Sequence, residues 1–219
     1  MRLMKKDMGG AAHALALATL IAAERLPLRL HLLIPAVENA VAGNALRPGD
    51  IVKSRQELQV EIDNTDAEGR LILADALTKA GESEPELIID FATLTGAART
   101  ALGPDLPALF SNDDGLADDL ASAGTEIADP TWRMPLWDAY DEMLKSDIAD
   151  LANAAGGSPM AGAIVAAMFL KRFVPKDTPW AHFDTYAWRD AAKPGRPKGG
   201  DALGLRAAFS AVTARYQPS

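Results

Sequence analysis

The densest group of chemically capable side chains lies in the octapeptide Asn64-Thr65-Asp66-Ala67-Glu68-Gly69-Arg70-Leu71. Asp66 and Glu68 are two residues apart, so both carboxylates face the same way in an extended chain, and the Arg70 guanidinium follows. Carboxylate oxygens suit divalent cations such as Mg²⁺, Mn²⁺ or Zn²⁺, whereas a guanidinium binds an anion. The spacing therefore allows a cation and an anion to be held side by side.

The same residues also allow a purely structural interpretation. Asp66 could cap the helix that follows it, with Glu68 in the first turn beside the positive end of the helix dipole. Arg70 would then be a solvated ion-pair partner. Asp7 is open to the same choice, because it also precedes a predicted helix. The spacing alone leaves both interpretations open.

The composition excludes several other kinds of site. The chain has 219 residues, with 22 Lys and Arg against 30 Asp and Glu, and this net charge of −8 argues against nucleic acid or an acidic membrane as a main partner. Without cysteine there is no disulfide, thiolate metal site or cysteine nucleophile. No apolar stretch approaches the roughly 20 residues of a membrane span. The paired-histidine metal motif, the serine-hydrolase elbow, the P-loop and the dinucleotide fingerprint are all absent from the sequence.

Short apolar runs bounded by turn residues predict strands, and apolar residues at helical spacing predict helices. We expect a helix at 10–25, a buried strand at 28–34, a loop at 39–50, strands at 51–53 and 59–62, a helix at 69–80, a strand at 86–91 and a helix at 97–102. Strands and helices alternate further at 107–111, 115–127, 158–173, 180–186 and 203–216.

This alternation predicts one α/β domain over residues 1–219, a three-layer domain with a largely parallel central sheet and helices on both faces. Such sheets bind ligands at the carboxyl ends of their strands. The most polar strand exits are residues 63–69 and 93–96, so a site is expected there.

The octapeptide matches the signature of the leucyl (cytosol) aminopeptidase family, the M17-type exopeptidases that use two metal ions. Three further segments resemble family sequence in the family's order: residues 6–12, residues 43–50 and residues 90–97. The resemblance runs from Asp7 to about Ala207 and so covers nearly the whole chain.

The resemblance implies hydrolysis of the first bond of peptides with a free N-terminus. Two neighbouring divalent ions, Mn²⁺ or Zn²⁺ with Mg²⁺ as an alternative, would activate a water and polarise the carbonyl. Asp7, Asp66 and Glu68 fall on three of the family's metal ligands. Arg70 falls on the active-site arginine, which is associated with a bicarbonate acting as general base. The resemblance also implies a cytoplasmic homo-oligomer, a hexamer in the family.

Four residues fall where the family lines the pocket for the first side chain, and they imply a preference for leucine-like residues: Met4, Thr93, Leu94 and Tyr186. For Met4 and Leu94, ordinary core packing is the alternative interpretation. After His182-Phe183-Asp184, the stretch 185–188 departs from the commoner family sequences.

Upstream of the segment that contains Asp7, family members carry a lysine ligand, a further aspartate ligand, a second lysine and a separate N-terminal domain. None of these is in this sequence, so the catalytic domain is expected to be incomplete on its N-terminal side. An incomplete sheet would leave an open edge and an exposed apolar face.

Two alternatives from other classes remain open. One is a catalytically incomplete fragment that acts as a structural or assembly module. The other is DNA binding, which some bacterial family members add to peptidase activity and which the acidic charge disfavours.

Overall fold

This computed structural model describes residues 3–38, 42–156 and 160–217. The first helix spans Gly9–Ala23, where Ala and Leu, both strong helix formers, predominate. The helices are α1 (Gly9–Ala23), α2 (Gly69–Gly81), α3 (Gly96–Leu102), α4 (Asp114–Glu126), α5 (Gly162–Lys171) and α6 (Leu205–Tyr216), with 3₁₀ helices at Met4–Met8 and Asp138–Leu144. The predicted helices at 10–25, 69–80 and 97–102 are confirmed. Part of the expected loop at 39–50 and the start of the segment at 158–173 lie outside the described residues.

The strands are short and form three sheets. They are β1 (Ile51–Lys53), β2 (Gln59–Glu61), β3 (Ile88–Ala92), β4 (Ala108–Ser111), β5 (Trp132–Arg133), β6 (Leu151–Ala152), β7 (Trp180–Asp184), β8 (Trp188–Arg189) and β9 (Gly199–Gly200). Their orders are β1-β2-β6, β3-β7-β4-β5 and β8-β9.

The α/β class is confirmed, and the sheets are mixed rather than uniformly parallel. In the four-stranded sheet β3 runs parallel to β7 and β4 parallel to β5, whereas β4 runs antiparallel to β7. A strand buried on both faces is apolar whichever way it runs, so the sequence pattern carries no signal for its direction. None of the described helices is long and apolar enough to cross a membrane.

The chain folds into two compact units that interleave along the sequence. The first unit comprises residues 1–32, 88–134 and 179–219 and holds the four-stranded sheet with α1, α3, α4 and α6. The second comprises residues 33–87 and 135–178 and holds the β1-β2-β6 sheet with α2 and α5.

In the first unit, α1 approaches β3 at a glycine. A Cβ added to Gly10 would lie 2.2 Å from the Phe91 carbonyl oxygen and 2.7 Å from the Ala92 Cα. Any larger residue would therefore push the helix off the strand. Close packing of α1 on β3 therefore requires glycine at position 10.

The predicted strand at 28–34 is wrong. In the structure this run forms no helix and pairs with no strand, and the side chains of Leu30, Leu32, Leu33 and Ile34 remain 39–43% exposed. A strand needs a partner for its backbone N–H and C=O groups, and the described residues supply none here. The run is thus an exposed apolar stretch.

In the second unit, the apolar faces of α2 and α5 meet, and a short sheet adjoins them. Val60 of β2 and Leu170 of α5 are fully buried, and Leu77 of α2 is nearly so. The central strand β2 pairs antiparallel with β1 and parallel with β6. This arrangement places the β2–α2 connection, which contains the octapeptide, at the end of a buried strand.

His13 joins α1 to the start of α6 within the first unit. Its Nδ1 donates to the Gly9 carbonyl oxygen at 2.7 Å, and its Nε2 accepts from the Leu203 backbone N–H at 3.0 Å. The ring also lies 5.4 Å from that of Phe91. One nitrogen must therefore carry a proton and the other must not, so the buried ring is neutral. Burial lowers the pKa of His13, although the Gly9 bond and the Asp129 and Asp201 carboxylates oppose this shift.

We expect stability to fall as the pH drops below about 6.5, where the unfolded His13 takes up a proton that the folded ring resists. One such group contributes a slope of at most about 1.4 kcal/mol per pH unit. A His13→Gln variant keeps an acceptor toward Leu203 but cannot titrate, so its unfolding free energy should vary less between pH 5 and 6.5. Urea unfolding at several pH values measures how the unfolding free energy of each protein depends on pH. His31→Gln, at an exposed position, is the control, and equal slopes for all three proteins would contradict the prediction.

Candidate functional site

In the second unit, the first five residues of the octapeptide lie in the loop between β2 and α2, and its last three begin α2. Asp66 is exposed and Glu68 half-buried, and α2 starts directly after Glu68 without a side-chain cap. In the described structure the Asp66 carboxylate accepts no hydrogen bond, while its backbone N–H donates to Asn64 Oδ1 at 2.9 Å. The interpretation of Asp66 as a helix cap is therefore wrong. Its carboxylate faces solvent, where it can bind a cation.

A buried amide holds this loop in place. Asn153, fully buried directly after β6, accepts at Oδ1 from the backbone N–H groups of Asp63 (2.9 Å) and Asn64 (3.1 Å). Its Nδ2 donates to the carbonyl oxygens of Asn64 (2.8 Å) and Ala67 (3.4 Å). Four backbone groups of the loop thus depend on one side chain, which sequence analysis missed. The only signal was a polar residue after an apolar pair, and that is too common to single out.

The same asparagine positions Arg70. Arg70 Nη1 donates to the Asn153 carbonyl oxygen at 2.6 Å, and the guanidinium lies 6.0 Å from the ring centroid of Phe169 on α5. The head group is therefore held by a backbone acceptor and an aromatic face. Arg70 is half-buried in this position.

Asp7 lies in the first unit, in the 3₁₀ helix before α1. Its Oδ1 accepts from Thr93 Oγ1 at 2.8 Å, and Thr93 comes directly after β3. The N-terminus of α1 has no side-chain cap, so the interpretation of Asp7 as a cap is also wrong. Asp7 and Thr93, which the sequence places 86 positions apart, are thus brought together at the carboxyl end of a strand.

Asp184, at the end of β7, holds the loop that follows β3. Its Oδ1 accepts from the backbone N–H groups of Leu94 and Thr95, both at 3.1 Å, and its Oδ2 accepts from Thr95 Oγ1 at 2.6 Å. Burial raises the pKa of the Asp184 carboxyl, against the opposing effects of His182 and of these hydrogen bonds. Asp184 is a second positioning residue that the sequence analysis did not single out.

Behind this loop lies a buried polar group on β3 and β7. His182 Nδ1 bonds to Asp90 Oδ1 at 2.6 Å, and Trp180 Nε1 donates to Asp90 Oδ2 at 2.6 Å. Burial acts to lower the pKa of His182, but Asp90 and Asp184 outweigh it and hold that pKa above its ordinary value. The group therefore fixes the register of the two strands whose ends carry Thr93 and Asp184.

The predicted pocket residues lie in the first unit. Met4 is 52% exposed, so the core-packing interpretation is wrong for it, while Leu94 and Tyr186 are half-buried. Tyr186 follows β7, and its ring contacts two cations, with the centroid 5.1 Å from Lys6 Nζ and 4.8 Å from the Arg99 guanidinium. Neither cation was singled out from the sequence.

The predicted site residues fall into two groups. Asp7, Met4, Thr93, Leu94 and Tyr186 belong to the first unit, whereas Asp66, Glu68 and Arg70 belong to the second. Within the described ranges, no three His, Cys, Asp or Glu side chains come together as a metal-binding group.

The donor chemistry of the octapeptide nevertheless fits a divalent cation. Asp66 and Glu68 are carboxylates on one loop, neither caps α2 through its side chain, and the loop backbone is held from behind by Asn153. Carboxylate oxygens are suitable first ligands for Mg²⁺, Mn²⁺ and Zn²⁺, with the remaining positions filled by water or other groups.

Both the sequence and the fold are similar to those of known proteins. Residues 1–209 match the catalytic domain of the cytosol aminopeptidase family. The chain is 51% identical over 205 residues to a probable cytosol aminopeptidase of Syntrophotalea carbinolica, covering 93% of this chain and 41% of that protein. Its structure matches the cytosol aminopeptidase of Coxiella burnetii with a TM-score of 0.96 and 57% identity, over 99% of this chain and 47% of that one.

A third similar structure is a complex with manganese. The bottromycin maturation enzyme BotP in complex with Mn matches with a TM-score of 0.90 and 37% identity, over 96% of this chain and 47% of BotP. The chain thus spans less than half the length of the relatives it matches. Because the match covers nearly all of its own residues, the chain belongs to the cytosol aminopeptidase family, within its catalytic domain.

Proposed function

We propose that the protein is a metal-dependent aminopeptidase that releases N-terminal, leucine-like residues from peptides with a free amino terminus. One observation carries this proposal: the family match spans residues 1–209 and includes an octapeptide whose Asp66 and Glu68 side chains do not cap the helix that follows. The backbone of this loop is held by Asn153 and the Asp66 side chain is exposed, an arrangement that suits ligand binding.

Asp66, Glu68 and Asp7 are the residues we propose as ligands of two divalent ions, Mn²⁺ or Zn²⁺ with Mg²⁺ as an alternative. When bound, such ions lower the pKa of a water molecule and polarise the scissile carbonyl. Thr93 would fix the rotamer of Asp7 through its 2.8 Å hydrogen bond. Asn153 would hold the backbone that carries Asp66 in one conformation.

Arg70 is proposed as the catalytic residue that holds a bicarbonate, which would act as general base. A guanidinium presents parallel N–H groups that match a planar oxyanion. Its Nη1 bond to the Asn153 carbonyl oxygen and its stacking near Phe169 orient the fork in advance. Lysine in this place would keep the charge but lose the planar geometry.

Met4, Thr93, Leu94 and Tyr186 are proposed to line the pocket for the first side chain. Half-buried Leu94 and Tyr186 and the exposed thioether of Met4 offer apolar surface to a substrate. Discrimination by such a surface is worth about 1–3 kcal/mol per methylene, so the preference for leucine would be moderate.

We further propose that the protein works in the cytoplasm as a homo-oligomer, a hexamer by resemblance to its family. The apolar run 28–34 offers surface for association. The other two functions, a purely structural module and DNA binding, have no supporting observation here, and the net charge of −8 disfavours the second.

Metal removal tests the proposal. The complete gene product that contains this chain is dialysed against a chelator, assayed with leucine p-nitroanilide, and assayed again after addition of Mn²⁺ or Zn²⁺. We expect hydrolysis to fall by at least about a hundredfold on metal removal and to return with the metal. N-acetylleucine p-nitroanilide is the control substrate and should not be cleaved. Hydrolysis that survives chelation, or equal cleavage of the acetylated substrate, would refute the proposal.

A further inference from the structure

Two cations share one aromatic ring in the first unit. Lys6 Nζ lies 5.1 Å and the Arg99 guanidinium 4.8 Å from the ring centroid of Tyr186. We refer to Lys6, Arg99 and Tyr186 as the cationic cluster. Lys6 belongs to the 3₁₀ helix at Met4–Met8, Arg99 to α3, and Tyr186 to the segment after β7. Three separate segments thus converge on one ring.

The cluster lies where strand ends position the proposed chemistry. Lys6 directly precedes Asp7, which bonds to Thr93 at the end of β3. Tyr186 comes two residues after Asp184, which bonds to Leu94 and Thr95 in the loop between β3 and α3. Since β3 and β7 are parallel, their carboxyl ends lie at the same edge of the sheet, where ligands of such sheets bind.

The two cations of the cluster have no ion-pair partner within the part of the chain that the structure describes. No carboxylate lies within ion-pair distance of Lys6 or Arg99 there, and both cations lie near the Tyr186 ring. Tyr186 Oη donates to Asp190 Oδ2 at 3.3 Å, and Asp7 already accepts from Thr93. Because both cations lie about 5 Å from the centroid of the same ring, an anion bound at this ring would be stabilised by both.

The surroundings favour a small carboxylate over a larger polyanion. Asp7 and Asp190 are exposed beside the cluster and would repel an extended phosphate backbone. Guanidinium and ammonium groups both donate charge-assisted hydrogen bonds to carboxylate oxygens. Lys5 lies 5.3 Å from the ring centroid of Trp188, so it belongs to a neighbouring pair and not to the cluster.

We propose that the cationic cluster binds a carboxylate of the peptide substrate. This inference rests on the proposed aminopeptidase function, because it assigns the cluster to the same strand ends as Asp7 and Thr93. The carboxylate has two possible sources: the acidic side chain of a first residue, or the terminal carboxylate of a dipeptide. The site would thus add acidic or very short peptides to the leucine-like substrates.

Matched substrate pairs test the inference and distinguish the two sources. Glutamate p-nitroanilide against glutamine p-nitroanilide reports an acidic first side chain, and leucylglycine against leucylglycinamide reports a terminal carboxylate. The variants are Lys6→Met and Arg99→Gln in the complete gene product, with Lys5→Met as the matched control. For each pair we divide the kcat/KM of the charged substrate by that of the neutral one. In one of the two pairs, Lys6→Met and Arg99→Gln should each lower this ratio by about fivefold to tenfold, while Lys5→Met should leave it unchanged.

A binding measurement makes the inference testable without turnover. The metal-free protein is titrated calorimetrically with the leucylglycine pair and with glutamylglycine and glutaminylglycine. In one of these two pairs, the peptide with the extra carboxylate should bind more tightly than its neutral counterpart. That difference should shrink in Lys6→Met and Arg99→Gln. If leucine p-nitroanilide is hydrolysed normally and the charged-to-neutral kcat/KM ratios do not change in Lys6→Met and Arg99→Gln, this inference is wrong, while the proposed aminopeptidase function is unaffected. Loss of all hydrolysis by the unmodified protein would refute that function, and equal binding of every pair would then overturn the inference as well.

Discussion

An Asn153→Leu substitution is expected to lower the free energy of unfolding by about 3–5 kcal/mol, although leucine has nearly the same size and shape. The amide is fully buried and bonds to four backbone groups of the loop at 63–67, all of which would lose their partner. Each buried backbone group left unsatisfied costs roughly 1–3 kcal/mol, and partial access of water limits the total. Urea unfolding monitored by circular dichroism measures the loss.

Two further variants make this result specific. Asn44→Leu changes an exposed asparagine in the same unit and should alter stability by less than about 0.5 kcal/mol. Asn153→Asp keeps the acceptor for Asp63 and Asn64 but loses both donors, and it buries a carboxylate. Burial raises the pKa of such a carboxyl, so the stability of this variant should increase as the pH falls and the group becomes a donor. Equal stability of Asn153→Leu and the unmodified protein would show that the loop at 63–67 does not depend on the Asn153 amide.

The double variant Asp66→Asn, Glu68→Gln is expected to lose peptide hydrolysis by about a thousandfold or more. Both changes keep the size of the side chain and remove its negative charge, so the loop should fold while a divalent cation loses two charged ligands. The bound metal per chain, measured by elemental mass spectrometry, should fall in parallel. Because α2 has no side-chain cap, the unfolding free energy should change little.

Asp118→Asn, Asp119→Asn is the matched control, because it removes two exposed negative charges from α4 in the other unit. It should leave both hydrolysis and metal content unchanged. If the octapeptide variant kept full metal content and activity, Asp66 and Glu68 would not be ligands. The acidic loop would then serve another purpose, and the proposed assignment would have to be abandoned.

Much of the secondary structure follows from the sequence alone. The Ala- and Leu-rich run at 10–25 forms α1, and the apolar spacing at 69–80 forms α2, because local propensity and helical periodicity agree in both. The octapeptide, with Asp66, Glu68 and Arg70, was also recognisable from its letters. The run at 28–34 was predicted wrongly because apolar composition signals burial but supplies no partner for the ladder.

Only the tertiary structure identified the residues that hold the site. Asn153 bonds to Asn64 across 89 positions, and Asp184 bonds to Leu94 across 90. A single buried amide or carboxylate has no periodicity, so its partner is set by how the chain folds back. The two cations over Tyr186 come from segments far apart in the sequence for the same reason.

The sequence by itself thus determined the family, the helices and the side chains capable of chemistry. The direction of β4 against β7, the exclusion of the helix-cap interpretations and the cationic cluster were decided by the tertiary structure. Local interactions are encoded in neighbouring residues, whereas strand direction and convergent charges depend on contacts that form only when distant segments pack together.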